Sequence, residues 1–143
     1  MKILIRSSAA LLLAVVLIFS LCACGKKTQP AADLWNSAVY QSDTELGSGA
    51  KMLTVEVEAE EKSVKFTLHT DMETVGEALF EQNLISGEDG EYGLYIKEVN
   101  GITADYDVDQ TYWAFYIDGE YAMSGVDATD ITEGTEYRLV RSK

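Results

Sequence analysis

The chain has 143 residues, with 11 basic against 24 acidic side chains and a formal net charge of −13 at neutral pH. Such a balance repels phosphate backbones and disfavours nucleic-acid binding, which rests on clustered Lys and Arg. One histidine and two cysteines leave little for nucleophilic or thiolate chemistry, and the length bounds one modest hydrophobic core.

Residues 1–23 read as an export signal. Lys2 and Arg6 supply a positive start, and the run from Ala9 to Leu21 is apolar and uncharged. At about thirteen residues that run falls short of the roughly 20 needed to span a bilayer. It ends in "LCACG", which resembles a bacterial lipobox: Leu21, the small Ala23, then Cys24. In that reading the chain is cut before Cys24, whose sulfur takes a diacylglycerol, palmitate being among the acyl groups. Burial contributes about 0.8 kcal/mol per CH₂, so two or three chains hold the protein on the extracytoplasmic face of a bacterial cell membrane. An ordinary signal peptide or membrane anchor with two incidental cysteines is the alternative. Loss of Cys22 and acylation of Cys24 would leave neither a free thiol nor a disulfide. Loss of Lys2 and Arg6 leaves nine basic against 24 acidic residues, a charge of −15.

Residues 24–50 are expected to form a lipidated tether and docking segment. "GKKTQPAA" is polar, carries the single proline and has no apolar periodicity. "DLWNSAVYQSDTELGSGAK" mixes Leu34, Trp35, Val39 and Tyr40 with a Gly-Ser stretch. A pure linker seldom includes a tryptophan, so part of this segment should dock.

Residues 51–143 are expected to be a single folded domain. In "MLTVEVEAEEKSVKFTLHT", Leu53, Val55 and Val57 alternate with polar neighbours, as do Val64, Phe66 and Leu68, which predicts a hairpin turning at "EAEEKS". "TDMETVGEALFEQNLI" switches to helical spacing: Thr70 with Glu73 fits a capping box, Met72, Val75, Ala78 and Leu79 make one stripe, and Gly87 is a stop. "YGLYIKEV" is a third strand, "YWAFYID" a fourth that turns at "DGE" into "YAMSGV", and "EYRLVR" closes the sheet. This order predicts an α+β domain, a β-grasp-like mixed sheet with one helix packed across one face.

"TYWAFYIDGEYAMSGVDATDITEGTEYRLV" resembles the C-terminal domain of transcobalamin and intrinsic factor, with its tyrosine-tryptophan strand, glycine-containing strand and final Glu-rich strand. From about Leu34 the chain is similar to the bacterial transcobalamin-like C-terminal domain family, a domain of unknown function. The features that carry this are "LW" at 34–35, "AVYQSDTELGSGAK", "TVGEAL", "EYGLYIKEVNGI" and "YWAFYIDGEYAMSGVD". The resemblance implies a β-grasp-like fold and, through the eukaryotic carriers, cobalamin as a ligand. In those carriers the domain closes over cobalamin beside a much larger helical domain, which this chain lacks.

Catalysis is poorly supplied, and the expectation is a non-enzyme. Any Ser-His or Cys-His pair would rest on His69, at a strand end before the helix, where a local hydrogen-bonding role is the simpler account. There is no phosphate-cradling glycine loop and no H-E-x-x-H. "ADYDVDQTYW" spaces Asp105, Asp107 and Asp109 like the opening of a calcium loop, but Gln110 and Tyr116 stand where an EF-hand needs Gly and Glu. A looser divalent-cation site would draw on these aspartates or on Glu88, Asp89 and Glu91. A solvated acidic loop is the simpler account.

Strand alternation through 111–117 places Trp113, Phe115 and Ile117 on one face, expected under the helix, and Tyr112, Ala114 and Tyr116 on the other. The second face is expected to continue across Tyr95 and Tyr121 into a tyrosine-rich surface, either wet or able to stack a small planar ligand. Trp113 is the alternative ligand platform. Two readings of function follow. One is a membrane-anchored, non-catalytic binding module that captures cobalamin or a related corrinoid for a membrane transporter. The other is a surface adhesion or protein-interaction domain.

Overall fold

The structure, a computed structural model, describes residues 34–143, so the signal segment, the lipobox and Cys24 lie outside the described residues. The folded unit begins well before Lys51. Trp35 is buried and donates its indole N–H to the Ala59 carbonyl, and Thr44–Gly47 forms β1. β2 (Lys51–Ala59) and β3 (Lys62–Thr70) pair antiparallel through a tight turn at Glu60 and Glu61, with Ala59 opposite Lys62. Their period-2 pattern buries Leu53, Val55, Val57, Val64, Phe66 and Leu68, and that shared apolar face fixes the register.

α1 (Val75–Glu81) follows. Its capping box is Thr74 with Glu77, one turn later than the expected Thr70 with Glu73. Both pairs have the required spacing. Thr70 is instead engaged elsewhere, its hydroxyl 2.7 Å from Glu81 Oε2. Met72 consequently lies before the helix and is exposed, while Val75, Ala78 and Leu79 form the buried stripe.

Gly87 does not stop the helix. It lies in β4 (Ile85–Gly90), which pairs with β5 (Gly93–Val99) across a register shift between Ser86 and Gly87. A Cβ at Gly87 would sit 2.1 Å from the Tyr95 carbonyl oxygen, so close backbone approach requires glycine there. β6 (Ile102–Thr103) completes a three-stranded sheet in the order β4-β5-β6. α2 (Tyr106–Asp109) is a single turn.

β7 (Tyr112–Ile117), β8 (Glu120–Tyr121) and β9 (Glu136–Ser142) join the first sheet, whose order is β1-β3-β2-β9-β7-β8. That sheet is mixed: β1 with β3 and β2 with β9 run parallel, the remaining pairs antiparallel. The domain is α+β, with Val75, Ala78 and Leu79 of α1 in one core with Phe66, Leu68, Tyr137 and Leu139. Among the described residues no helix is long and apolar enough to cross a membrane.

Candidate ligand-binding groove

The turn at Asp118-Gly119 sets the geometry of this region. Both residues have positive φ, 48° and 83°, which suits a two-residue hairpin loop and places Tyr116 opposite Tyr121. Asp118 Oδ1 accepts the Glu136 N–H at 2.9 Å, tying the turn to β9. After Tyr121 the chain leaves the sheet through Ala122–Gly125 and enters a 3-10 turn at Val126–Ala128.

Trp113 and Phe115 belong to the same buried cluster as Val75, Ala78 and Leu79 of α1, and they also face the small sheet, where β5 packs against β7. Leu94 and Ile96 point back at them, and between the two strands lies an open groove of about 300 Å³. Val126 and Ala122 close one side, while Tyr92, Tyr121 and Met123 border the mouth. Trp113 and Phe115 are each only 7% exposed, whereas Tyr92 is 94% and Met123 100% exposed. The groove therefore has a buried aromatic floor and an exposed rim of mixed polarity. Phe115 stacks on Tyr137 with ring centroids 6.1 Å apart, which holds the floor in place.

The Trp113 indole N–H is buried and has no hydrogen-bond partner among the described residues. A buried donor left unpaired costs about 1–3 kcal/mol, and tryptophan in a core normally finds a partner. Trp35 does so, through Ala59.

The expected tyrosine surface is only partly assembled. Tyr116 and Tyr121 meet edge to face at 5.6 Å, and Tyr121 also borders the groove. Tyr112 is half-buried at the far end of β7, opposite Ser142. Tyr95 belongs to the other sheet, opposite Glu88, so it does not continue the Tyr112–Tyr116 face. That face is instead flanked by Arg138, which is opposite Tyr116 and pairs with Glu56 and Glu58.

The aspartate loop performs structural work. Asp105 caps α2 by accepting the Asp107 N–H at 3.0 Å. Asp109 accepts from the Thr111 backbone and hydroxyl, and its second oxygen lies 2.8 Å from Arg141. The Thr111 hydroxyl, with lesser help from its N–H and from Arg141, holds the Asp109 carboxyl below the usual aspartate range. Glu88 pairs with Lys97 at 3.2 Å, and His69 Nε2 lies 2.6 Å from Glu45 Oε1. Among the described residues no three His, Cys, Asp or Glu side chains gather to hold a metal ion.

Leu94, Ile96, Phe115 and Met123 were not singled out as site residues by the sequence. The alternation in "GLYIKEV" already puts Leu94 and Ile96 on one face, but which strand they oppose is a long-range fact.

Residues 73–137 match the family described as Domain of unknown function (DUF4430). A crystal structure from Ruminococcus gnavus ATCC 29149, described as a candidate metal binding protein, is 35% identical with a TM-score of 0.62; the match covers 66% of this chain and 98% of that one. Haptocorrin in complex with Cbi is 20% identical with a TM-score of 0.47, over 65% of this chain and 25% of haptocorrin. No curated protein sequence is significantly similar to the chain.

Proposed function

We propose, from the premise that the chain belongs to the DUF4430 family of transcobalamin-like bacterial domains, that it is a non-catalytic binding module whose ligand enters the groove between β5 and β7. The observation that carries this is the unpartnered Trp113 N–H in the aromatic wall of that groove. A ligand oxygen or nitrogen that reaches this covered N–H through a small shift of the Trp113 ring would remove a standing desolvation cost. Lipid at Cys24 would hold the module on the extracytoplasmic membrane face, in reach of a transporter.

Cobalamin or a related corrinoid is the ligand implied by the resemblance to the vitamin carriers. The groove, at about 300 Å³, is at the lower end of the range for small-molecule sites. A corrinoid would insert only an edge or a side group, with its remaining surface covered by a partner such as the transporter. The Ruminococcus gnavus relative's description raises a cation as ligand, but the described residues here bring no suitable set together.

Calorimetric and spectral titration of the protein with cobalamin and cobinamide tests the corrinoid assignment. Heat and an absorbance shift, both lost in Trp113→Phe, are expected. No heat and no shift at high micromolar concentrations would rule corrinoids out. Protein recognition is a second reading, supported by the rim: Tyr92 and Met123 are almost fully exposed, as in surfaces that meet a partner.

A further inference from the structure

Asp127 does not itself line the groove, but it follows Val126 and its carboxylate lies beside two residues that do, Leu94 and Gly125, with no role in the ion-pair network. Its Oδ2 lies 3.4 Å from the backbone N–H of Leu94, a groove residue, and none of the ion pairs among the described residues includes it. The two neighbouring positions carry no side chain. A Cβ on Gly93 would meet the carboxylate oxygens at 3.1 and 3.3 Å, and one on Gly125 would meet Oδ1 at 2.7 Å. Glycine at both positions makes room for the carboxylate, which stays exposed. No Lys, Arg or His lines the groove.

We infer that the groove selects ligands bearing a positive charge next to an apolar body, with Asp127 as their counter-ion. This rests on the reading of the groove as the ligand site. Three features act in the same direction. Aromatic faces attract cations through their quadrupoles, and the rim supplies Tyr92 and Tyr121. A single carboxylate at the edge supplies the charge. The chain's net charge of −13 raises the concentration of cations around it. A neutral ligand would strip water from Asp127 without replacing it, and an anion would add repulsion.

Three probes with one phenyl ring and matched length separate these effects: phenethylammonium, 2-phenylethanol and phenylacetate. The full-length protein in discs of zwitterionic lipid is titrated with each, following the Trp113 indole N–H resonance. The expected order is cation, neutral, anion, with the cation about tenfold tighter than the alcohol. Asp127→Asn keeps an acceptor for Leu94 and should reduce that ratio to under about twofold, by weakening the cation and easing the desolvation cost that the alcohol meets. Asp127→Glu should keep the preference. If all three probes shift the resonance with equal affinity, charge selection is overturned and the groove remains a ligand site. If none shifts it, the groove reading falls, and this inference with it.

Discussion

Trp35 donates its indole N–H to Ala59 at 3.0 Å, while Trp113, almost as deeply buried, donates to nothing among the described residues. The two side chains have the same chemistry and opposite hydrogen-bond outcomes. Trp35 closes the end of the β2–β3 hairpin, where Lys62 Nζ also sits 4.8 Å from its ring centroid, so its role is to fasten the N-terminal segment. Trp113 lines a groove, and its donor, itself covered, is left without a partner there.

Substitutions at Trp113 should separate packing from recognition. Trp113→Ala should cost roughly 3–5 kcal/mol through lost contact and a cavity, whereas Tyr112→Ala, half-buried at the strand end, should cost about 1 kcal/mol. Trp113→Phe should recover much of the stability but not ligand affinity, since the N–H is then missing together with part of the indole's bulk. Denaturant midpoints and titrations of the three variants provide the comparison. A silent Trp113→Ala would mean that the residue is not part of the core.

Local periodicity made the β2–β3 hairpin, α1 and the Asp118-Gly119 turn readable, because each is encoded by neighbours in the chain. What the sequence left open depends on distant partners. Thr70/Glu73 and Thr74/Glu77 satisfy the same capping spacing, and the choice falls to the bond of Thr70 with Glu81 and the bridge of Thr74 to Asp130. β4 has no alternation in "ISGEDG" and exists through its pairing with β5. The sequence groups Tyr95 with Tyr112, Tyr116 and Tyr121 because nothing local reveals that β5 belongs to a second sheet. The groove was hidden for the same reason: its two walls come from different sheets.

The capping assignment is directly testable. Thr74→Ala should destabilise the domain by about 1 kcal/mol, and Thr70→Ala should act through loss of the Glu81 contact instead. A double substitution of Thr74 with Glu77 should be less than additive, since the two side chains form one reciprocal cap. Thermal midpoints of the single and double variants measure this. Full additivity would refute the box.

Acid should weaken two of these contacts. The Glu77 carboxyl is held low chiefly by the backbone N–H of Thr74 and then of Glu73, and that of Asp109 chiefly by the Thr111 hydroxyl. A carboxyl with a lowered folded value contributes stability that is present above its ordinary value and lost as pH falls through the folded one. The loss therefore begins below about pH 4, where free carboxylates protonate. Both groups are largely solvated, so each effect is small. Glu77→Gln and Asp109→Asn should each lose less stability than the parent between pH 7 and pH 3; a steeper loss would contradict the assignment.

The lipid anchor makes a prediction independent of the fold. Cys24→Ala should abolish incorporation of a fatty-acid probe and alter processing, whereas Cys22→Ala should change neither. Metabolic labelling of both variants reads this out. Continued labelling of Cys24→Ala would refute the lipobox assignment, with Cys24 as the acylated residue.

Two glycine substitutions should fail for different reasons. At Gly87 the backbone is ordinary, but an added Cβ lies 2.1 Å from the Tyr95 carbonyl oxygen, an atom that can retreat only by moving β5. At Gly119 nothing lies within 4 Å, and the cost is conformational, because φ is 83°. Gly119→Ala should therefore cost about 1 kcal/mol, and Gly119→Asn less, since Asn enters the left-handed region more readily. Gly87→Ala should cost about 1–3 kcal/mol or more, with no relief from Asn. Because Leu94 and Ile96 ride on β5, Gly87→Ala should also disturb the groove. The Trp113 indole N–H resonance should then shift in Gly87→Ala and stay in place in Gly119→Asn. Equal shifts in both would mean that β5 is not what positions the groove wall.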